Sequence, residues 1–352
     1  MNSTIYIRTL KRAEHTVFCV ADGQKTYFDP QFRTAVPYSS GQQVKRSLID
    51  ALSNALNEIP APTTFLFDAD KDGKLKEGEV YATCDPSSAD QLLGGWMKAS
   101  KGGTERTIKR RSPLSISAMR GLHPLLTSTP NENISFDRSD RPNNAVIVRN
   151  EKGEVLSEDQ IAALLTGKDR SLSRKWIPDN KRANGLFIQD MAIDLRRLFC
   201  VLQNPLEPEI SAETEAKLLA NGWVECHNIF GKCLVAPKAI RAKLIPALAY
   251  AIVNWSITSN QSRTFSLMET LAISVSDNAN KIASSIRAKL HEEDDNKAVP
   301  IIEEELAGVN SFVSLSAAGY IRTKKEVADA LDNAQQHLVD LMMAFDYENQ
   351  MK

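Results

Sequence analysis

The stretch SGQQVKRSLIDALSNAL (residues 40–56) carries the clearest structural pattern in the sequence. Its apolar residues recur at intervals of three and four, which places them on one face of an α-helix. Ser40 is followed three positions later by Gln43, the spacing of a capping box at a helix start. Pro60 and Pro62 then end the pattern. The sequence predicts a helix that begins at Ser40 and buries Val44, Leu48, Ala51, Leu52, Ala55 and Leu56.

The amino end of this predicted helix has features that suit phosphate. A helix start leaves backbone N–H groups without intrahelical partners and is the positive end of the helix dipole. Hydroxyl, amide and cationic side chains surround it, namely Arg33, Ser39, Ser40, Gln42, Lys45 and Arg46. On a helical wheel Lys45 flanks the apolar stripe and Arg46 lies away from it, so both can reach solvent or a ligand. The alternative is that these cations are simply solvated on an exposed helix face.

Regular patterns also flank this helix, although a long irregular region follows it. Residues 3–9 and 15–20 read as strands, whereas residues 60–184 lose periodicity and accumulate Gly, Pro, Asn and charge, which favours an inserted subdomain. That region holds a predicted strand at 145–149 and a helix that starts at a Ser157/Gln160 capping box and ends at Gly167. Beyond it we expect a strand at 186–202, a helix at 211–221 closed by Gly222, a core helix at 240–255, a strand at 264–276, and a last helix at 327–345 with a Thr323/Glu326 capping box. This alternation favours an α+β core.

Composition limits the classes of protein that fit. The chain has 352 residues with 43 Lys and Arg against 44 Asp and Glu, a net charge of −1, which argues against coating nucleic acid by bulk charge. No apolar run reaches the ~18 residues of a membrane span, and the start lacks the pattern of a secretory signal. The five cysteines show no paired spacing, so we expect reduced thiols in a cytoplasmic protein. Structural zinc at Cys226, His227 and Cys233 is a weakly supported alternative, because no CxxC accompanies them.

Four motifs resemble a known family. The run RTAVPYSSGQQVKR (residues 33–46) is similar to the signature of the Cas seven (DevR-type) RAMP proteins, in which a basic residue, a Ser-Ser pair, a Gln and a Lys-Arg open the first helix. CDP (84–86) with DQLLGGWM (90–97) resembles the family's "Asp-Pro … Asp-Leu-Phe-Gly-Tyr-Met" segment. RRSPLSIS (110–117) resembles its basic "Ser-Pro-Leu-x-x-Ser" strand, and TSNQSR (258–263) stands where the family carries an RNA-contacting loop that ends in Arg. The resemblance covers most of the chain.

The resemblance implies an α+β fold with a modified ferredoxin-like (RRM-like) palm, a large finger insertion and a thumb loop. The palm would take residues 1–59, a strand at 185–199 and residues 236–352. The fingers would be residues 60–184 and the thumb residues 200–235.

The resemblance also implies a function. The chain would be a non-catalytic, multi-copy subunit that binds CRISPR RNA (crRNA) and forms the backbone of a type I CRISPR effector (Cascade), which presents the guide to target DNA. Copies would stack head to tail along one guide, a contact that does not close and so propagates, and base pairing would read the sequence. The implied partners are crRNA, target DNA, further copies of the chain, and the RAMP cap and large subunits, with no membrane. The implied RNA-binding residues are Arg33, Ser39, Ser40, Gln42, Lys45, Arg46, Arg110, Arg111, Asn260, Gln261 and Arg263.

Basic clusters in the insertion fit such a role. One lies within residues 106–111 and another within residues 168–175, followed by Lys181 and Arg182. Their gathering favours contact with the target strand, although each cluster alone could be a solvated loop.

A second pattern points to a metal. DADKDGKLKEGE (residues 68–79) has carboxylates at positions 1, 3 and 5, Gly at 6, an apolar residue at 8 and Glu at 12, the spacing of an EF-hand calcium loop. The predicted ligands are Asp68, Asp70, Asp72, Lys74 and Glu79, and calcium would be a structural clip rather than a required cofactor. The flanking sequence looks extended rather than helical, so an Asp/Gly-rich hairpin tip is the alternative.

Catalysis is not expected. The sequence contains no G-x-S-x-G, P-loop or H-E-x-x-H motif. The alternative is a type III-like backbone subunit that cleaves target RNA with a loop aspartate, for which Asp22, Asp29 and Asp137 are the candidates.

Overall fold

The structure is a computed structural model that describes residues 3–18, 23–98, 106–137, 147–167, 174–257 and 265–351. Its strands, in chain order, are β1 (Thr4–Thr16), β2 (Thr26–Asp29), β3 (Thr34–Ser39), β4 (Thr64–Ala69), β5 (Leu75–Tyr81), β6 (Trp96–Lys98), β7 (Ile108–Arg110), β8 (Leu114–Ile116), β9 (Met119–Gly121), β10 (Thr127–Ser128), β11 (Asn131–Asp137), β12 (Arg174–Lys181), β13 (Ala183–Asp194), β14 (Cys200–Leu202), β15 (Val224–Asn228), β16 (Gly231–Val235), β17 (Thr270–Ser276), β18 (Ile286–His291), β19 (Asp294–Ile302), β20 (Asn310–Ser314) and β21 (Glu326–Val327). Its helices are α1 (Gly41–Leu56), α2 (Ala89–Gly94), α3 (Glu158–Leu165), α4 (Leu195–Leu198), α5 (Ala212–Ala220), α6 (Lys238–Asn254), α7 (Ala279–Ser285) and α8 (Ala330–Met343).

The largest sheet is built around the pairing of β1 with β13. Its strand order is β2-β3-β9-β13-β1-β17-β20-β21, and β8 and β10 also pair with β13. Taking β1, α1, β8, β13, α6 and β17 in chain order gives β-α-β-β-α-β, with sheet order β17-β1-β13-β8 and each neighbouring pair antiparallel. This is the ferredoxin-like arrangement, so the predicted α+β palm is confirmed.

The two faces of this sheet are covered by different elements. On one face Ile5 and Ile7 of β1 lie in the same buried cluster as Val44 and Leu48 of α1 and Leu248 of α6. On the other face a second cluster joins residues of β1, β13 and β17 to β18, β19 and the segment after β20; it contains Leu10, Leu186, Ile188, Leu271, Ile286, Ile302 and Ile321. Alternation along each strand thus separates a helix-covered face from one covered by a hairpin and by α7.

Local signals predicted the helices well and the strands less well. α1, α5 and α6 lie where the periodicity placed them, and Ser157 and Gln160 form a complete capping box at the start of α3. The two predicted N-terminal strands are one continuous strand, β1, with an irregularity between Ala13 and Thr16. The strand predicted at 186–202 is interrupted by α4, and of the strand predicted at 145–149 only an isolated bridge at Arg149 is described.

The predicted start of the last helix is wrong. Val327 belongs to β21, which pairs in parallel with β20, and α8 begins only after Asp329. Thr323 donates to the carboxylate of Glu304 instead of capping a helix. A long-range strand pairing therefore overrides a local capping signal.

The region assigned to the fingers and thumb is partly built into the palm. β8, β9 and β10 come from within residues 60–184, yet all three pair with β13. The β4–β5, β6–β7 and β11–β12 pairs are separate two-stranded units. The three-stranded sheet β14-β16-β15 contributes Val201, Cys233 and Leu234 to the main buried cluster. None of the helices in the described part of the chain has the length and apolarity that a membrane span requires.

Lys11, in β1, has a buried amine at the point where α6 ends and β17 begins. Its Nζ donates to Trp255 O and Thr270 Oγ1, both at 2.9 Å, and lies 4.6 Å from the centroid of the Trp255 ring. Burial without a carboxylate partner lowers the pKa of Lys11 from 10.5 to about 7. The amine thus joins three elements while favouring its neutral form.

We expect the free energy of unfolding to rise with pH between about 7 and 10.5 because of Lys11. In that range the unfolded chain binds a proton that the folded chain does not, so the slope attributable to Lys11 reaches about 1.4 kcal/mol per pH unit. Lys11→Met should remove that part of the slope. Urea denaturation of both proteins across this range measures it, and identical slopes would show that Lys11 keeps an ordinary pKa.

Candidate nucleic-acid interface

The amino end of α1 begins as the sequence predicted. Ser40 is the N-cap in an extended conformation, and its Oγ accepts from the backbone N–H of Gln43 at 3.3 Å. The capping box is only half formed, because Gln43 Oε1 lies 3.5 Å from Ser39 Oγ instead of reaching back to Ser40. The first turn carries no acidic residue. The end of the helix dipole is therefore not neutralised by its own first turn.

Gly41 fixes where this helix start lies. A Cβ at Gly41 would come within 2.7 Å of Ile116 O and within 3.3 Å of the Ala118 nitrogen. The start of α1 is thus pressed against the backbone that leaves β8, and only glycine permits this approach.

The predicted RNA-binding residues of this motif fall into an exposed group and a buried or half-buried group. Gln42 and Arg46 are exposed, and the Arg46 side chain is 81% exposed with Nε 3.4 Å from Asp50 Oδ2. Ser39 is fully buried, and Lys45 is half-buried with Nζ donating to Gly94 O at 2.5 Å. Burial, and next the charge of Arg110, lowers the pKa of Lys45.

Two predictions for this motif are therefore corrected. Ser39 is not available as a surface contact, since its side chain is enclosed within the fold. Lys45 and Arg46 do not act as a pair, because Lys45 ties α1 to the end of α2 while Arg46 points to solvent.

The sheet edge beside this helix start adds aromatic and basic groups. Tyr27 and Phe28 of β2 are exposed, and Tyr27 stacks edge-on against Tyr38 at 6.1 Å between ring centroids. Arg33 is exposed in the β2–β3 turn with a positive φ of 50°. Tyr38 pairs in register with Arg120 of β9. We call these five residues the β2-edge surface.

A carboxylate organises the cations of the sheet face opposite α1. Asp190 accepts from Arg8 Nε at 2.6 Å and Nη2 at 3.0 Å, and from Arg120 Nη1 at 3.2 Å. Arg8 is buried and also donates to Ala283 O and Ile286 O, so it is held within the fold. The Arg120 side chain is 41% exposed and is the outward member of the group. Asp190 thereby helps to hold Arg120 in its place within the β2-edge surface.

Of the five residues of the β2-edge surface, only Arg33 was predicted from the sequence as a site residue. Tyr27, Phe28, Tyr38 and Arg120 were not singled out, although adjacent aromatics in a polar segment are a signal of stacking with bases. Their association depends on β3 pairing with β9 across an interval of about 80 residues, which no local pattern indicates.

Arg110 is not an RNA contact. It is 4% exposed and donates to the carbonyls of Leu92, Arg197 and Cys200. Its Nε lies 3.8 Å from Glu209 Oε2, and its guanidinium lies over the Trp96 ring. Burial lowers the pKa of Arg110 to about 10 and raises that of Glu209. Arg111, by contrast, is exposed and stays a predicted RNA contact.

We expect Arg110→Met to lower the free energy of unfolding by about 3–5 kcal/mol, because it breaks the buried pair with Glu209 and leaves Arg197, 3.8 Å away, as the remaining cation of that carboxylate. The neighbouring substitution Arg111→Met is the control and should change stability by less than about 0.5 kcal/mol. Arg110→Met/Glu209→Met should cost less than the sum of the single changes, because no unpaired charge remains. Denaturation of the four proteins measures these differences; equal stability of the Arg110 and Arg111 variants would contradict the structural role.

The remaining predicted residues are placed as follows. Asn260, Gln261, Arg263, Asp22 and the first part of the 168–175 cluster lie outside the described residues, as do the side chains of Arg174, Lys175 and Asp137. Arg182 is buried and pairs with Glu132 at 2.7 Å, so it does not belong to an exposed basic patch. Lys181 is exposed. Asp29 Oδ1 accepts from the backbone N–H groups of Gln31 and Phe32, which assigns it a turn-stabilising role.

The predicted calcium loop is the tip of the β4–β5 hairpin. Strands flank it where an EF-hand has helices. Asp70 Oδ1 accepts from the N–H groups of Asp72 and Lys74, and Gly73 takes a φ of 75° at the turn. No set of three acidic, His or Cys side chains in the described ranges converges as a metal site, and the Glu79 side chain is not among them. This segment is therefore a hairpin tip, and calcium binding stays a prediction.

Comparison with known proteins gives only remote likenesses. No protein-family model matches the chain, and no curated protein matches it. Among solved structures, a chain of a "CRISPR RNA-guided surveillance complex, pre-nicking" is 10% identical, with 96% of this chain and 89% of that chain covered at a TM-score of 0.44. A chain of a "CRISPR RNA-guided surveillance complex" is also 10% identical, with 96% and 84% covered at a TM-score of 0.38. These values are too low to transfer a role to any residue.

Proposed function

We propose that this chain binds a guide RNA through the amino end of α1, as a non-catalytic, multi-copy backbone subunit of a type I CRISPR effector. The observation that carries the proposal is the helix start after the Ser40 cap, which has no acid in its first turn and has Gln42 and Arg46 directed to solvent. The resemblance of residues 33–46 to the Cas seven family signature supplies the biological context. The implied place of action is the cytoplasm.

Contact with the phosphate backbone follows from the chemistry of this surface. The first N–H groups of a helix and a nearby guanidinium together favour an anion without reading a base. The β2-edge surface adds aromatic rings, of which Phe28 is 65% exposed, and stacking on such rings tolerates any sequence. The protein would therefore hold the guide and leave sequence recognition to pairing with target DNA.

Local contacts explain how a chain with a slightly negative net charge would bind RNA. A chain of net charge −1 gains little from bulk attraction to RNA. A few cations per copy suffice where copies stack along one strand, because contacts between subunits add cooperativity. Head-to-tail stacking requires further copies, and an assembly that stops at a defined length requires capping and large subunits as additional partners.

We expect Arg46→Ala to weaken RNA binding and to reduce its salt dependence. Loss of one contact to a single-stranded phosphate should lower the slope of log K against log salt by about 0.7. An exposed ion pair contributes at most about 1 kcal/mol, so the affinity should fall roughly fivefold or less. Filter binding of labelled RNA at four salt concentrations measures both quantities.

Lys297→Ala is the matched control for this experiment. Lys297 is also exposed, at 71%, and also pairs with a carboxylate on its own element, Asp294. It lies on the β18–β19 hairpin, away from α1. If Arg46→Ala and Lys297→Ala give the same slope as the unaltered protein, the helix start does not contact phosphate.

Cleavage of target RNA is the competing function. In the proposed role, the assembled complex should leave labelled complementary RNA intact in the presence of Mg²⁺ or Mn²⁺. Regularly spaced cuts would favour the ribonuclease alternative. Asp29→Asn would then test the one candidate aspartate whose side chain the structure describes, with loss of cutting assigning the chemistry to it.

A further inference from the structure

Three cysteines share one face of the sheet β14-β16-β15. Cys226 pairs directly with Cys233 across β15 and β16, and Leu202, two residues after Cys200, pairs with Cys233 on the other side. Because side chains alternate along a strand, the three thiols point to the same side. The Sγ atoms of Cys226 and Cys233 are 3.3 Å apart.

The C-terminal segment, residues 344–351, lies over this thiol face. Cys226 Sγ donates to Tyr347 O at 3.8 Å, and Gln350 Nε2 donates to Cys200 Sγ at 3.1 Å. Tyr347 is buried with its ring 5.2 Å from that of Phe199. Two of the polar contacts that hold this segment are therefore made by thiols.

We propose that Cys226 and Cys233 form a site of thiol–disulfide exchange with low-molecular-weight disulfides, and that closing their bond loosens the C-terminal segment from the three-stranded sheet. The site does not depend on the proposed RNA binding, since it lies on different elements.

The geometry permits the bond without moving the backbone. Directly opposed residues on antiparallel strands have Cα atoms about 4.5–5.5 Å apart, within the roughly 4.4–6.8 Å that a disulfide spans. Rotation of the two side chains is enough to bring the sulfur atoms together.

Cys226 is the thiol that reacts first. It is half-buried, whereas Cys200 and Cys233 are buried. A hydrogen bond from Cys200, with a smaller one from Cys233, lowers the pKa of Cys226 to about 7. The thiolate is the attacking species in exchange, so Cys226 combines access with reactivity.

The exchange balances in two steps. The Cys226 thiolate attacks one sulfur of glutathione disulfide, forming a mixed disulfide and releasing one glutathione thiolate. Cys233 then attacks the Cys226 sulfur, releasing the second glutathione, which takes up the Cys233 proton. The protein loses two electrons and two protons, and the oxidant is reduced to two molecules of glutathione.

Oxidation removes one of the contacts to the C-terminal segment. A disulfide sulfur carries no proton, so Tyr347 O loses the Cys226 donor and keeps Gln350 Nε2, at 3.1 Å, as its donor. The salt bridge of Arg241 with Glu348, at 2.8 Å, is unaffected and should retain the segment near the sheet.

Peptide mapping tests the first part of the proposal. The full-length protein is equilibrated in buffers of increasing glutathione disulfide to glutathione ratio, alkylated and digested with trypsin. Lys217, Lys232 and Lys238 place Cys226 and Cys233 in separate peptides, residues 218–232 and 233–238. We expect these two peptides to become linked, with a loss of 2 Da in the intact mass that dithiothreitol reverses. Cys84, which is buried and whose pKa burial raises to about 11, is the internal control and should stay reduced.

Two results would overturn the assignment. One is a stable glutathione adduct on Cys226 with no link to Cys233 at any ratio. The other is a link from Cys226 to Cys200.

Hydrogen exchange tests the second part. Oxidation should increase deuterium uptake in residues 344–351 at least twofold at short times in the unaltered protein. Cys226→Ser keeps a donor for Tyr347 O and cannot form the bond, so its uptake should not respond to oxidant. Unchanged uptake in fully linked protein would show that the segment is held independently of the thiols.

Discussion

The pairing of β1 with β13 is the constraint on which the rest of the structure depends. Ten consecutive residue pairs join the two strands in register, and an eleventh follows the irregularity after Ala13. Arg8 and Asp190 are 182 positions apart in sequence and are joined by two hydrogen bonds from one edge of the guanidinium, through Nε and Nη2. This pairing decides which residues of β1 face the helices and which face α7. A shift by one residue would move Ile7 away from the helix-covered face and place Arg8 on it. The pairing of β1 with β13 also has a high entropic cost, because it closes a long loop of intervening chain.

The sequence predicted those parts of the fold that local interactions determine. α1 and α6 follow from periodicity, and the caps at Ser40 and Ser157 follow from side chains that bond to N–H groups three residues away. Strand partners could not be predicted in this way. β8 and β9 have three residues each, and their place in the sheet is set by β13, which lies about 70 residues further along. For the same reason the 60–184 region was interpreted as separate from the palm when part of it completes the sheet.

Charged residues were the least predictable part of the structure. Lys11, Arg110 and Arg182 look like surface residues in the sequence, yet each lies where strands or helix ends present backbone carbonyls or a carboxylate. Long cationic side chains can satisfy several such acceptors at once, which a buried apolar residue cannot do. A local count of Lys and Arg therefore overestimates the basic surface. For the β2-edge surface the sequence underestimates the candidate site. Its aromatic residues have no local signal that links them to Arg120, because the link is the pairing of β3 with β9.

The motif that suggested RNA binding also contains both inward-facing and outward-facing side chains. Consecutive helical residues are about 100° apart, so no run such as QQVKR can direct all its side chains to one ligand. Val44 and Lys45 face the protein, whereas Gln42 and Arg46 face solvent. The inward residues, with Gly41 against β8, fix the position and direction of the helix start. An anion-binding site whose N–H groups are already oriented loses little entropy on binding. The inward residues thus contribute to the proposed recognition by holding the helix, and the outward ones by contacting the phosphate.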